Sequence, residues 1–381
     1  MKSRIDEISM IKGIGILAVV CIHLLSISGL KQYCGIGIKI EMSLCAPLMI
    51  MFFILAGYLS SDRKTSAKDY LVGRLNRIFV PYYVMAVVLL IAYAIIYLII
   101  EEKSIGWYID GAIGILLQFQ SFHWLDTSIS GLHPMFYGAV VGWFLFQMAV
   151  AEVIFVPIRY RLKDKKTGLK LLLAAAFLLV GAILYIPDIQ GLNDKPFSTV
   201  LLAFVLPNIP GEVGLMLLGD YLSKLDFLDF DAYSIKRKIA GFAISLALII
   251  IFIATDNYSY RFPFGGWGAF GALSYATGTL YGLALITFLG IICNLIKNAE
   301  PVRKTLAYLG DISMSILVIH YFLAYLIAYI IGFWQEPMLG PVVTESAGAA
   351  LGYFIIMFAV ILVVCNLFPY ALGRALKRIH K

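Results

Sequence analysis

The chain has very little charge for its length. Only 14% of its 381 residues are Asp, Glu, Lys or Arg, whereas about a quarter of the residues in a soluble domain are charged. Its polar side chains are too few to cover a water-facing surface, which excludes a soluble globular protein. Intrinsic disorder is also excluded, because disordered segments combine low hydrophobicity with high net charge.

Cysteine is scarce as well. The five cysteines are Cys21, Cys34, Cys45, Cys293 and Cys365, and none has the spacing of a metal site or a redox motif. We therefore expect no metal and no disulfide framework. The net charge of +7 does not indicate a nucleic-acid partner, because in a membrane protein an excess of basic residues marks the cytoplasmic loops.

What the chain has in abundance is hydrophobic residues, which make up 61% of it and give a mean hydropathy of +0.90. Ten apolar stretches reach or approach the roughly 20 residues of a membrane-spanning helix. They are 13–30, 42–61, 78–100, 127–151, 171–187, 197–211 with its continuation to 221, 239–255, 262–296, 312–335 and 346–373. The shorter segment 111–125 predicts an interfacial or re-entrant helix.

The basic residues predict the orientation of these helices. With the N-terminus placed inside, 25 of the 30 Lys and Arg residues fall on the cytoplasmic side. Such an asymmetry favours an even number of spans with both termini in the cytoplasm. We therefore predict an all-α, polytopic membrane bundle of about ten transmembrane helices, with residues 1–381 forming a single integral-membrane domain.

Ionisable residues at membrane depth are costly and therefore suggest function. His23 follows Lys12 by eleven residues in the first stretch, which is about three helical turns and a rise of roughly 16 Å. The two residues thus share a helical face, with Lys12 near the cytoplasmic boundary and His23 near mid-membrane. A histidine there can exchange a proton near neutral pH. A core histidine bonded to a neighbouring helix explains the position equally well.

Two arginines form a second candidate site at the cytoplasmic end of the third stretch. Arg74 and Arg77 are three residues apart, so both guanidinium groups lie on one helical face. Such forked donors match phosphate oxygens. From these residues alone, however, the ordinary positive-inside signal is the favoured explanation.

Further polar residues lie in or beside the later stretches. His320 follows Asp311 by nine residues, so it reaches mid-membrane depth in the ninth predicted helix and is a candidate for substrate binding. For Glu152, Glu212 and Asp220, which lie near the ends or breaks of their helices, we expect satisfied hydrogen bonds between helices.

The longest predicted external loop, 101–135, contains His123, Trp124 and His133. Aromatic residues at a membrane interface usually anchor the chain. Because such rings also stack on sugars, these three residues are also candidates for substrate binding.

Several of these segments resemble the acyltransferase family 3 membrane proteins, which include bacterial sugar and polysaccharide O-acetyltransferases. Lys12 and His23 are similar to the opening pattern of that family, a basic residue followed after ten residues by histidine, although arginine is more usual than Lys12. Segment 52–59, Phe-Phe-Ile-Leu-Ala-Gly-Tyr-Leu, is similar to the family's Phe-Phe-x-x-Ser-Gly-Phe-Leu, with Ala56 and Tyr58 as departures.

The resemblance extends over most of the chain. Segment 74–77, Arg-Leu-Asn-Arg, matches the family's Arg-x-x-Arg and is followed by the usual Pro81 and Tyr82. Weaker matches occur at 143–145 and 313–320. The order of these motifs, their spacing and their placement in the membrane together carry the resemblance.

The resemblance implies a plasma-membrane enzyme that takes an acyl group, most commonly acetyl, from cytoplasmic acyl-CoA. The acceptor would be a hydroxyl group of a glycan, a lipid-linked sugar or another cell-envelope molecule. It assigns catalysis to His23, as general base or as acyl carrier, and the acetyl-CoA donor to Lys12, Arg74 and Arg77. A separate extracytoplasmic transferase is expected if the chain does not complete the transfer itself.

A transporter or flippase of a lipid-linked glycan is the main alternative. Buried charges and broken helices suit it, but it also predicts an inverted repeat, which the sequence does not show. A membrane sensor or scaffold explains neither the spacing of Lys12 and His23 nor the paired arginines.

Overall fold

The computed structural model describes residues 2–60, 66–95, 98, 105–106, 108–109, 112, 142–163, 165–184, 206–254, 271–330 and 346–379. All regular structure within these ranges is helical, which confirms the predicted all-α class. The α-helices are α1 Lys2–Ile27, α2 Gly35–Tyr58, α3 Ala67–Tyr93, α4 Gly142–Arg161, α5 Thr167–Leu184, α6 Leu206–Lys224, α7 Ile235–Ala254, α8 Gly271–Ile296, α9 Glu300–Asp311, α10 Ser313–Ile330 and α11 Ala347–Ile379. Two short 3-10 turns, Leu30–Tyr33 and Phe230–Ala232, separate some of them.

Six described helical segments are long and apolar enough to cross a membrane. They are Asp6–Ile27, Ala67–Val88, Thr167–Leu184, Ile235–Ala254, Ala276–Ile296 and Ala347–Leu367. A seventh results if α9 and the following Ser313–Ala328 count as one span, and α2 contributes the shorter apolar segment Pro47–Tyr58. The chain is therefore a membrane protein. Its ten-helix count and the cytoplasmic position of both termini stay predictions, and segment 111–125 lies almost entirely outside the described residues.

Contacts divide the chain into two compact units that interleave along the sequence. Unit 1 comprises Met1–Gly15, Lys39–Asn76 and Gln147–Asp311, and unit 2 comprises Ile16–Ile38, Arg77–Phe146 and Ile312–Lys381. The assignment of residues 1–381 to a single domain stays a prediction.

Glycines allow the helices of unit 1 to meet at their backbones. A Cβ atom on Gly57 of α2 would strike the backbone of Met216, and one on Gly219 of α6 would strike the backbone of Ile54. Gly214 brings α6 close to α5 as well, where an added Cβ would lie 2.9 Å from the backbone nitrogen of Leu178. Small residues permit such close approach between membrane helices, where packing and hydrogen bonds replace the hydrophobic effect as the driving force. This explains the glycine of segment 52–59 as a contact between α2 and α6.

The short helix α9 lies against the start of α1 in the same way. A Cβ on Gly310 would strike the backbone of Ser9, and one on Gly13 would strike the carbonyl group of Leu306. The Ser9 hydroxyl also donates a 2.8 Å hydrogen bond to Asp311 Oδ1. The first turns of α1 are thus held by both backbone packing and a polar contact.

In unit 2, helix α10 packs against α11. The buried residues Ala350, Met357, Ile361 and Cys365 recur at helical spacing along one face of α11. Its other side exposes large apolar residues such as Ile355, Val363 and Leu367, as expected of a helix that faces lipid. This packing holds α10, which carries His320, in a fixed position within unit 2.

Candidate functional site

Two histidines that are far apart in sequence meet inside unit 2. His23 lies on α1 and His320 on α10, and His23 Nδ1 is 2.7 Å from His320 Nε2. The two ring planes are within 4° of parallel. His320 is fully buried and His23 is half-buried, so the pair has one closed end and one more accessible end.

The surroundings of the pair fix both rings. His320 Nδ1 lies 2.9 Å from the carbonyl oxygens of Ile316 and Leu317, one turn earlier on its own helix. The ring of Tyr321 meets the ring of His23 edge-on, with 5.0 Å between the ring centroids. His320, predicted from sequence only as a possible substrate contact, is therefore the direct neighbour of the predicted catalytic histidine.

Lys12 precedes this pair on α1 and belongs to unit 1. Helix α1 is continuous from Lys2 to Ile27, so the eleven-residue spacing between Lys12 and His23 runs through unbroken helix. The binding role of Lys12 stays a prediction.

Arg74 forms an ion pair within unit 1. Its Nε donates to Glu152 Oε1 at 2.7 Å, and its Nη2 donates to the same oxygen. Glu152 has no exposed surface, whereas 19% of the Arg74 side chain is exposed. The second carboxylate oxygen, Oε2, has no hydrogen-bond partner among the described residues. Arg74 thus already uses two of its donors to neutralise a buried carboxylate.

Arg77 differs from Arg74 although both lie on α3. Its side chain is exposed, and within the described part of the chain it forms no ion pair or hydrogen bond. Of the two arginines, Arg77 is therefore the one whose forked donors are available to a ligand.

A second buried charge cluster joins three helices of unit 1. Asp220 of α6 accepts from Lys170 Nζ of α5 at 2.8 Å and from Arg159 Nε of α4 at 3.3 Å. The Arg159 guanidinium also lies over the rings of Tyr70 and Tyr160, 5.6 Å and 5.3 Å from their centroids. The expectation of interhelical hydrogen bonds is thus confirmed for Asp220, as it is for Glu152.

Sequence reasoning missed the partners in this cluster, because it counted Arg159 and Lys170 only as cytoplasmic topology signals. The signal that could have found them is Asp220, because an ionised carboxylate buried in an apolar helix is stabilised by pairing with a cation. Glu212 departs from the expectation: it is fully buried, and neither of its carboxyl oxygens has a partner within the described ranges.

The remaining predicted site residues, His123, Trp124 and His133, lie outside the described residues. Their role in substrate binding stays a prediction. Among the residues that the structure does describe, no group of three or more His, Cys, Asp or Glu side chains could hold a metal ion.

Comparison with known proteins gives one finding over nearly the whole chain. A family model described as an acyltransferase domain matches residues 5–368. The matched range contains the histidine pair and all three basic residues of the predicted donor site. Neither a curated protein nor a solved structure matches the chain.

Proposed function

Because the chain belongs to acyltransferase family 3, a family of membrane acyltransferases, we propose that it is an O-acyltransferase of the plasma membrane. The acyl donor is a cytoplasmic acyl-CoA, most commonly acetyl-CoA. The acceptor is a hydroxyl group of a glycan, a lipid-linked sugar or another cell-envelope molecule. The observation that supports this most directly is the His23–His320 pair, which sets an imidazole with a fixed partner inside an apolar helical unit.

In the direct route, His23 acts as a general base. Its imidazole takes the proton of the acceptor hydroxyl while the hydroxyl oxygen attacks the thioester carbonyl carbon. The new C–O bond forms as the C–S bond breaks, and the departing CoA thiolate recovers the proton from the imidazolium. The products are the ester and free CoA, and no oxidant or reductant is needed.

In the relay route, His23 is itself acylated. The imidazole nitrogen attacks the thioester carbonyl carbon, an N–C bond replaces the C–S bond, and CoA leaves as a thiolate, which gives an N-acylimidazolium. The acceptor hydroxyl oxygen then attacks the acyl carbon, the new C–O bond forms as the N–C bond breaks, the neutral imidazole is restored, and the hydroxyl proton passes to water and balances the CoA thiolate. A separate extracytoplasmic protein is the natural acceptor partner for this route.

We assign the phosphates of the donor chiefly to Arg77. Its exposed guanidinium presents a planar fork of N–H donors, which matches two phosphate oxygens at once. Lys12 is a second cationic contact on a different helix. Arg74 contributes less directly, because its fork already neutralises Glu152.

The second candidate function is a transporter or flippase of a lipid-linked glycan. Glu212 favours it, because a fully buried carboxyl group without a partner in the described part of the chain is the kind of group that proton-coupled transporters use. Consumption of a thioester separates the two functions, since a transporter leaves acyl-CoA intact.

The test uses purified full-length protein in liposomes with radiolabelled acetyl-CoA and a panel of glycan acceptors. We expect thioester loss and label on an acceptor or on the protein. The His23→Gln variant should lose both, and His380→Gln, the same replacement at the second-last residue, serves as a matched control. Intact acetyl-CoA with every acceptor and every added partner protein would exclude the proposal.

A further inference from the structure

The hydrogen-bond roles in the histidine pair follow from the chemistry of its outermost partners. A backbone carbonyl oxygen only accepts, so the contacts of His320 Nδ1 with the carbonyl oxygens of Ile316 and Leu317 require a proton on Nδ1. In a neutral imidazole, the other ring nitrogen then carries a lone pair. His320 Nε2 is therefore an acceptor.

The neutral form of His320 is the one that suits its site. The ring is fully buried, and both of its nitrogens are satisfied by neutral groups: two carbonyl oxygens and another imidazole. An imidazolium there would be a buried charge without a paired anion among the described residues, which is costly.

We propose that His320 is a positioning residue that holds His23 in one tautomer, with the proton on Nδ1 and a lone pair on Nε2. Because His320 Nε2 accepts, the 2.7 Å contact requires His23 Nδ1 to donate. His23 Nε2 makes no hydrogen bond within the described residues, and it belongs to the half-buried rather than the fully buried ring. The reacting nitrogen is Nε2.

This inference rests on the proposed function for its importance, because both routes need a lone pair at the reacting nitrogen. As a base, Nε2 takes the hydroxyl proton and the resulting positive charge is shared with His320 through the Nδ1–H bond. As an acyl carrier, Nε2 forms the N–C bond. The proton stays on His23 Nδ1, which continues to donate its hydrogen bond to His320 Nε2. His320 thus touches no reacting atom and acts through His23.

The first test reads the tautomer directly. Full-length protein labelled with ¹⁵N-histidine is studied by NMR at neutral pH, and the His23 signals are identified by their loss in His23→Gln. We expect a protonated Nδ1 and an unprotonated Nε2. A wild-type spectrum with the proton on His23 Nε2 would overturn the inference, whatever the enzymatic activity.

Three variants then separate positioning from packing. In His320→Phe the aromatic ring stays but the acceptor is lost, so the His23 proton should move towards Nε2. In His320→Gln the side-chain carbonyl can replace the acceptor and should preserve the wild-type tautomer. Tyr321→Phe keeps the ring beside His23 and is the matched control. An unchanged tautomer in a folded His320→Phe protein would contradict the inference.

Activity provides the second readout. Loss of a partner that orients a metal-binding histidine typically costs about 10- to 100-fold, and by the same reasoning His320→Phe should lower the turnover rate by about that factor, while His320→Gln should restore much of it. The KM for acyl-CoA should change little in both variants. If wild-type protein transfers no acyl group at all, the proposed function fails while the spectra still decide the role of His320.

Discussion

Replacing Arg74 by alanine is the substitution whose effect the structure predicts in most detail. It removes both N–H donors from Glu152 Oε1 and leaves a carboxylate with no exposed surface and no other hydrogen-bond partner in the described part of the chain, with only the charge of Arg159 still acting on it. Breaking a buried ion pair from one side costs about 3–5 kcal/mol. Because 19% of the Arg74 side chain is exposed, water can enter the vacated space, and we expect the lower end, about 3 kcal/mol.

The companion substitution Glu152→Gln should cost less. It removes the buried charge and leaves Arg74 partly in contact with solvent, so we expect a loss of about 1 kcal/mol, the value of a typical hydrogen bond. In the double variant Arg74→Ala/Glu152→Gln no charge is left unpaired. It should therefore be more stable than Arg74→Ala alone, with a coupling energy of about 2 kcal/mol.

The measurement is the free energy of unfolding of the four proteins in the same detergent, followed by circular dichroism. Arg74→Lys provides an intermediate control, because lysine keeps the charge but cannot form the fork. If Arg74→Ala unfolds like the parent, or if Glu152→Gln fails to rescue it, Glu152 is not a buried ion in the folded protein and the reasoning is wrong.

Four further predictions address catalysis, donor binding, packing and pH. His23→Gln should fold and bind acyl-CoA but lower the transfer rate by about 10²–10⁴, and a variant with parental activity would exclude His23 from catalysis. Arg77→Ala should weaken acyl-CoA binding by about ten- to a hundredfold in calorimetry, because each charge-assisted hydrogen bond contributes about 1.5–3 kcal/mol. Gly57→Ala should destabilise the fold by about 1–3 kcal/mol, whereas Gly73→Ala, whose Cβ meets nothing within 4 Å, should be tolerated. Hydrogen bonds from Lys297 and Asn294 lower the pKa of Asp231 below its ordinary 3.8, so its small contribution to stability is present above that pH and is lost as the pH falls further; Asp231→Asn should therefore change the unfolding midpoint at pH 6 more than at pH 3.

The all-helical membrane fold could be predicted from the sequence because apolar run length and hydrogen-bond satisfaction in lipid leave few alternatives. The ends of the helices could not. Helix α1 begins at Lys2 rather than at the predicted residue 13, because charged residues continue a helix where they find partners: Glu7 bonds to Asn294 and Lys297. The amphipathic helix α9 was missed because counting uncharged residues detects spans only, and its polar face interrupts every such run.

The site was predictable only in part for a similar reason. Placing a histidine inside a membrane costs free energy, so a histidine within an apolar stretch suggests function. His23 and His320 could each be identified as candidates for this reason. That the two rings meet depends on which helices pack together, and periodicity within one helix contains no information about its neighbours. The same limit hid Arg159 and Lys170, whose partner Asp220 lies on another helix.

The basic residues show what a count of charges by side leaves out. Arg74, Arg159 and Lys170 all contribute to the 25 predicted cytoplasmic charges, yet each is paired with a buried carboxylate in unit 1. For Arg74 to turn its Nε–Nη2 edge to a donor phosphate, it would have to release Glu152 and leave that charge buried, at a cost of about 3–5 kcal/mol. Its remaining N–H donors can meet a phosphate without that loss, but Glu152 already neutralises the charge that they would bring. Arg77 is exposed and forms no ion pair in the described part of the chain, so binding a phosphate there breaks none. Its contacts with phosphate therefore contribute their full energy to affinity.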